Sequence, residues 1–373
     1  MKQDNCEKRS LFGTLTGIRS LRLMFLVLLV AILAAGGSSY SQGTGAEKRV
    51  TVLTRNVDEG TDLDFILAAA SSGTIDDLLA AVAQTYEEVA ASNIPERASA
   101  LAREIQETQP DLVGLQEVSI WRTGPVFDPK PARKVAFDPL KSLLAELERL
   151  GLQYEPAAIV TDFDFELPSA LGIDIRRTDR DVLLVRTNSG VTLSNVQAHN
   201  FDTRLPLDSP LLGQIEVPAG WISADVKIRG QEFRVVTTHL DNLSPDVRLG
   251  QAFELSQGAT NTELPVVLMG DFNSDAESSD PDQNGAYQLL LGAGLRDAWA
   301  EAHPGVQGFT WPLHDEDPFV PFTSASQRID FVLFRGLNEL PSAELIGNHL
   351  SDLTPSGLWP SDHAGLLVTF RLR

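Results

Sequence analysis

The chain has 373 residues, of which 43% are hydrophobic and 22% charged, so it holds ample apolar material for the core of one large domain. Its formal net charge is −21. The first 41 residues hold five bases and two acids, which leaves −24 for the remainder. Such a surface repels polyanions at long range and excludes a broad basic footprint for gripping long duplexes, while leaving room for a small phosphoester or a local basic pocket. Cys6 is the only cysteine and lies in the N-terminal leader. The rest of the chain therefore has neither disulfides nor thiolate metal sites, and any metal must be held by oxygen or imidazole.

Arg19 and Arg22 precede thirteen apolar residues, Leu23 to Ala35, and small and polar residues follow from Gly36 to Gly45. A basic flank, a short apolar run and a small-residue exit form the pattern of a secretory signal. The run is short for a bilayer, where about 20 residues are usual, and an uncleaved N-terminal anchor is the alternative. Residues 1–41 thus predict export, to a secreted or periplasmic location or one tethered at the membrane. Residues 48–373 are expected to form the folded domain.

Val50 to Val57 alternates, is rich in β-branched residues and predicts the first strand. Leu63 to Ala70 and Ile75 to Ala91 have helical character. Pro95 starts a further helix that Pro110 stops. Asp111 to Val118 is a buried strand with polar residues at its exit. Pro139 to Leu150 predicts a helix inside an otherwise irregular region, Ser119 to Arg180, whose acidic second part, Thr161 to Arg180, is expected to be a loop. Strands resume at Asp181 to Val185 and Val191 to His199, and Arg229-Gly230 marks a hairpin between Trp221–Lys227 and Glu232–His239. Arg248 to Gln257 and Ala286 to Leu291 predict helices. Pro265 to Met269, Arg328 to Phe334 and Ala364 to Phe370 predict the last strands. Strands outnumber helices, helices are interspersed, and there is no repeat or low-complexity linker, so the class is α/β or α+β, with sheets flanked by helices.

Polar groups gather where apolar strands end: Asn56, Glu117, His239, Asp271, Asn273, Asp330, Asp362 and His363. A buried carboxylate is costly unless paired, hydrogen-bonded or ligated. Each residue alone has an ordinary explanation. Asn56 could bond a turn, Glu117 could cap the next segment, Asp271 with Asn273 could form an Asx turn, and His239 could be a hydrogen-bonded core histidine. Asp330 inside an apolar strand is harder to dismiss, and Asp362-His363 pairs a carboxylate with an imidazole. Eight together suit hydrolysis of a phosphate ester with a hard cation, Mg²⁺ or else Mn²⁺ or Ca²⁺, held by carboxylate and amide oxygens. No Gly-x-Ser-x-Gly and no phosphate-cradling Gly-rich loop is present.

In order along residues 48–373, the segments Thr54-Arg55-Asn56-Val57, Leu115-Gln116-Glu117-Val118, Thr238-His239-Leu240, Gly270-Asp271-Phe272-Asn273, Arg328-Ile329-Asp330-Phe331 and Ser361-Asp362-His363 resemble the endonuclease/exonuclease/phosphatase superfamily, which includes deoxyribonuclease I and bacterial sphingomyelinases. The resemblance implies a four-layer sandwich of two face-packed mixed β-sheets flanked by helices. It implies that Glu117 is the principal metal ligand, with Asn56 and Asp362 near the same ion. It implies that Asp330 orients His363 as general base, that Asp271 positions water or a second ion, and that Asn273 and His239 bind phosphoryl oxygens.

The chain departs from parts of that pattern. It is strongly acidic where duplex-binding nucleases carry basic loops, and candidate local bases are Arg55, Arg122, Arg176, Arg177, Arg180 and Arg204. Gln327-Arg328-Ile329-Asp330 stands where inositol-polyphosphate phosphatases carry Cys-Asp-Arg. Phe309, Trp311, Phe319 and Phe322 are the nearest counterpart of a membrane-binding aromatic hairpin, with core packing or a substrate lining as the alternative. Residues 58–92 and 119–180 look like additions that shape specificity. The expected partner is a phosphate-ester substrate. Extended nucleic acid is disfavoured by charge, membrane lipid stays open, and no protein partner is indicated. The competing readings are an extracellular nuclease and a non-catalytic surface binding protein on the same fold.

Overall fold

A computed structural model describes residues 48–313, 325–337 and 339–372. The leader and two of the aromatic candidates, Phe319 and Phe322, lie outside the described residues. In chain order the elements are β1 (Arg49–Asn56), α1 (Asp64–Ser72), α2 (Ile75–Ala91), α3 (Ile94–Thr108), β2 (Leu112–Gln116), β3 (Ile120–Pro125), β4 (Lys134–Phe137) and α4 (Pro139–Arg149). Next come β5 (Tyr154–Pro168), β6 (Ile173–Arg186), β7 (Thr192–Asn200), β8 (Leu205–Ser209), β9 (Gly213–Val217), β10 (Gly220–Ile228) and β11 (Gln231–His239). The chain continues through α5 (Pro245–Gln257), β12 (Val266–Asp271), α6 (Pro281–Gly292), β13 (Arg296–Asp297), α7 (Ala298–Ala302), β14 (Asp330–Arg335), β15 (Ser342–Ile346) and β16 (Gly365–Arg371).

Two mixed sheets are built from these strands. One runs β15-β16-β1-β2-β6-β3-β4, with β5 paired to β6. The other runs β13-β14-β12-β11-β10-β7. Their facing sides bury a single apolar layer, with Val50, Val52, Leu183 and Val368 from the first sheet against Ile222, Val235, Val267 and Phe334 from the second. The outer side of the first sheet packs Leu53, Leu115 and Leu184 on Leu101, Leu143 and Leu147 of α3 and α4. The outer side of the second packs Leu268, Phe331 and Leu333 on Leu255 and Leu290 of α5 and α6. The result is the expected four layers, helices–sheet–sheet–helices.

Period-2 alternation explains how strands buried on both faces are split between layers. Along β6, Leu183 and Val185 face the other sheet while Val182 and Leu184 face the helices. The sheets approach closely enough that a Cβ on Gly114 would meet Thr237 Oγ1 at 2.4 Å.

Pairing directions set the site. β1 and β2 are parallel, and so are β11 and β12. Asn56, Glu117, His239 and Asp271 therefore leave the carboxyl ends of four parallel strands. β14 and β16 run antiparallel to their neighbours, so the residues that begin them come to the same end: Asp330 pairs with Asp271, and His363 just precedes Gly365.

One expected loop is a hairpin. Thr161 to Arg180 belongs to β5 and β6, antiparallel strands of 15 and 14 residues. Its charges hid the pattern because they pair across strands: Asp164 accepts from Arg176 and from Thr178 Oγ1, and Arg177 lies over the Phe165 ring. The short strands β3, β4, β13 and β15, and the separate two-stranded hairpin β8–β9, were not expected either, having too few residues to show a period.

Gly270 carries the β12 strand into the site at φ 153°, where a Cβ would lie 2.0 Å from Thr238 O. Gly270→Ala is expected to destabilise the domain by at least about 3 kcal/mol in urea unfolding; an unchanged midpoint would contradict the register described here.

Candidate active site

Asp271 is the hub of the rim. Its Oδ1 accepts the Asn273 N–H at 2.9 Å, an Asx turn that puts Asn273 at φ 48°. Its Oδ2 accepts from Asn56 Nδ2 at 3.1 Å and lies 3.6 Å from His239 Nε2 and 3.7 Å from His363 Nε2. Asn56 is oriented by its own chain: the Asp58 N–H donates to its Oδ1 at 2.9 Å, which turns the amide nitrogen toward Glu117 Oε1 at 2.8 Å and toward Asp271. Glu117 Oε2 in turn accepts the Glu59 N–H at 3.1 Å. Glu117 sits at φ 59°, a conformation that costs a non-glycine residue about 1 kcal/mol or more and persists only where its surroundings enforce it.

On the other side, His363 Nδ1 lies 2.9 Å from Asp330 Oδ2, and both residues are buried. Asp362 Oδ2 accepts from Trp311 Nε1 at 2.9 Å, and its Oδ1 stands 4.0 Å from His363 Nε2. Asn273 Nδ2 donates to Leu240 O at 2.9 Å and lies 3.0 Å from His239 Nε2, so that nitrogen is the acceptor and the ring proton belongs on Nδ1.

All eight residues singled out in the sequence thus meet at one rim. The expected ligands Glu117, Asp362 and Asn56 lie together there, with Asp271 joined to them through the Asn56 amide. Ligand atoms of Glu117, Asp271 and His363 lie within 4.8 Å of one another. Asn56 offers these carboxylates a nitrogen, while its oxygen is held by backbone.

The charges explain why this grouping fits a hard cation. Burial, with the carboxylates of Glu59 and Asp362 close by, pushes the Glu117 carboxyl well above its usual range. Burial likewise raises Glu59 to about 7, against the pull of Arg177. For His363, burial works against the charged form, but Asp330, Asp362 and Asp271 outweigh it and hold the imidazole well above its ordinary value. A divalent ion among carboxylate oxygens would relieve this crowding, and oxygen donors are what Mg²⁺, Mn²⁺ or Ca²⁺ take.

The scaffold beneath the rim uses residues the sequence did not mark as structural. Arg55 is buried, forms a two-pronged pair with Glu104 of α3 at 3.0 and 3.1 Å, and donates to His363 O. Arg97 of α3 donates to Pro360 O at 3.1 Å and Asp58 O at 2.6 Å, clamping both loops that carry the site. Arg177 bridges Glu59 and Asp179, and Asp179 accepts from Ser119 Oγ at 2.9 Å. The signal for this last group was the period-2 series Arg177, Asp179, Asp181 running into the apolar Leu183 and Val185. Nothing in the sequence around Glu59 or Arg97 marked either residue.

Two substitutions test this scaffold. Arg55→Met strands Glu104 as a buried unpaired charge and should cost about 3–5 kcal/mol in denaturant unfolding; a loss under about 1 kcal/mol would deny the pair its role. Asp330→Ala should cost about 1–3 kcal/mol and disorder the His363 ring, seen as a loss of its hindered NMR imidazole resonance. Retention of that resonance would show that other contacts hold the ring.

The profile of the Endonuclease/Exonuclease/phosphatase family matches residues 89–363. No curated protein matches the sequence significantly. Several solved structures do match. An endonuclease/exonuclease/phosphatase family protein from Leptotrichia buccalis is 17% identical with a TM-score of 0.52, over 87% of this chain and 100% of that one. One from Bacteroides thetaiotaomicron is 17% identical with a TM-score of 0.53, over 87% and 96%. D. rerio TDP2 complexed with a single strand DNA product is 19% identical with a TM-score of 0.51, over 87% and 100%. At these identities the structures share the fold, and the profile match over most of the chain places it in the family. The chain belongs to the endonuclease/exonuclease/phosphatase family, whose members are metal-dependent phosphoester hydrolases.

Proposed function

We propose that residues 48–373 form an exported, metal-dependent hydrolase acting on small or lipid phosphoesters, as a phosphodiesterase or phosphomonoesterase. The observation that carries the choice of substrate is the fate of the candidate bases. Arg55 pairs with Glu104, Arg176 with Asp164, Arg177 with Glu59 and Asp179, Arg180 with Asp138, and Arg204 with Glu216, while Arg122 donates to Thr178. Arginines committed to carboxylates within the chain do not form a phosphate-tracking groove, and a charge of −24 outside the leader opposes one further. Export rests on the leader sequence, residues 1–41. Among the described residues no helix is long and apolar enough to cross a membrane.

Glu117 and Asp271, with Asp362 and Asn56 beside them, would hold a hard divalent cation that neutralises phosphoryl charge and stabilises the leaving oxygen. The remaining roles follow from charge state and exposure. Asn273 and His239, partly exposed at the rim and hydrogen-bonded to each other, would bind the phosphoryl oxygens. His363, with Asp330 against its Nδ1, turns Nε2 toward Asp271 and Asp362 and is placed to exchange a proton with the attacking water or a phosphoryl oxygen. Asp271 Oδ2, facing both imidazoles, would position the attacking water between the cation and His363. Asp330 keeps the His363 ring in place and its charge stabilised.

An extracellular nuclease is the second reading, favoured by the fold shared with a TDP2 structure that holds a single strand DNA product. Purified protein should be assayed on bis-p-nitrophenyl phosphate, sphingomyelin and plasmid DNA, with Mg²⁺ and with EDTA. We expect EDTA-sensitive turnover of one of the first two and little DNA cleavage; DNA cleavage alone would establish the second reading instead. Glu117→Ala and His363→Ala should each lower turnover at least about 100-fold while circular dichroism stays unchanged. Full activity in both variants would show that this rim is not where turnover occurs, and no turnover of any of the three substrates by the unaltered protein would establish the non-catalytic binding protein instead.

A further inference from the structure

Behind the rim, between the two sheets, lies a group of acids that the proposed reaction does not use. The face of β6 that supplies Leu183 and Val185 to the inter-sheet layer continues, by strand alternation, through Asp181, Asp179 and Arg177. On β5, Val160 belongs to the same layer and Asp162 stands two residues further along. Val160 pairs with Asp181, and the pairing is irregular between Thr161 and Asp164, so Asp162 lies diagonally across from Asp181 on the shared face. The facing sheet comes close here, at a glycine. A Cβ on Gly220 of β10 would fall 2.9 Å from Asp162 Oδ1.

Asp162 is 6% exposed and Asp181 is 0% exposed. Both oxygens of each are sealed from solvent and have no hydrogen-bond partner among the described residues. The nearby cation is already committed, since Arg177 bridges Glu59 and Asp179. Asp179 is itself satisfied by Ser119 Oγ, the Arg180 N–H and Arg177. The four oxygens of Asp162 and Asp181 are left over. Buried polar groups are nearly always matched, and buried carboxylates are paired or ligated.

We propose that Asp162 and Asp181 hold a hard divalent cation between the sheets, a second site distinct from the one at Glu117 and Asp271. One proton shared by the two carboxyls would match only two of the four oxygens. A cation, whose remaining ligands are water or main-chain oxygen, matches all four, and all-oxygen coordination selects Ca²⁺, Mg²⁺ or Mn²⁺. Burial, and then the neighbouring acids, push both carboxyls well above their usual range in the bare chain, which is the cost that the ion would offset. Asp181 also feels Asp271 and Glu117. A cation here therefore weakens the negative field at the rim and stiffens the β5–β6 hairpin that carries Arg177 and Asp179. This site stands independently of what the rim hydrolyses.

Crystals of the full chain soaked in MnCl₂ test it directly. An anomalous peak is expected between Asp162 and Asp181, separate from any peak at Glu117; no peak there at saturating Mn²⁺ would overturn the proposal. In solution, Asp162→Asn with Asp181→Asn should lower the tightly bound metal per chain by one, whereas Glu117→Gln should leave that ion in place. An unchanged metal count in the double variant, or a single Asp181→Asn variant that melts higher with the count unchanged, would show that a proton rather than a metal neutralises the pair. If the double variant does not fold, the Mn²⁺ soak of the unaltered chain still decides.

Discussion

Too many carboxylates held too close together is the condition to which the rest of this structure answers. Glu117, Asp271, Asp362 and Glu59 converge on one rim, and Asp162, Asp179 and Asp181 lie just behind it. Like charges in a partly dry site cannot all ionise unaided. The protein meets part of the demand from its own chain. Arg177 is shared by two acids, the Asn56 amide bridges two more, and His363 takes up charge from three. A divalent cation would answer the remainder.

Strand direction is what makes this convergence cheap in backbone terms. Two parallel pairs, one in each sheet, deliver four side chains from their carboxyl ends, and antiparallel neighbours bring Asp330 and His363 to the same edge. The apolar layer between the sheets gives way toward this edge to Thr237, Gln116 and the acids. Gln116 Nε2 donates to Thr237 Oγ1 at 3.1 Å and Thr54 donates to Gln116 Oε1 at 3.2 Å, so the transition is hydrogen-bonded on both sheets. Strain collects at the same place, with Glu117 and Asn273 both in the left-handed region.

Much of this was legible in the sequence, for identifiable reasons. Strong apolar strands ending in acids, amides and imidazoles mark both the layer pattern and the rim, because a polar group at the end of a buried strand has few other uses. Arg55 misled: flanking Asn56, it looks like a phosphate contact, yet strand alternation turns it to the helix side and onto Glu104. The hairpin of Thr161 to Arg180 was hidden because its charges pair across strands, so no apolar alternation announced it. For Asn56 the sequence marks the residue but not which end of its amide faces the carboxylates, which the Asp58 N–H bond to Oδ1 determines. Glu59 and Arg97 act through contacts distant in sequence and left no local trace.

A cation answering the acids at the rim is the central claim made of this site. Differential scanning calorimetry of the full chain in EDTA and in rising Mg²⁺ measures this directly. Binding to the folded state alone adds about 2.7 kcal/mol at a hundredfold excess over Kd. The melting temperature should therefore climb with the logarithm of Mg²⁺ concentration, and the increment should shrink when Glu117 is replaced by Gln. A melting temperature indifferent to Mg²⁺, Mn²⁺ and Ca²⁺ would contradict it.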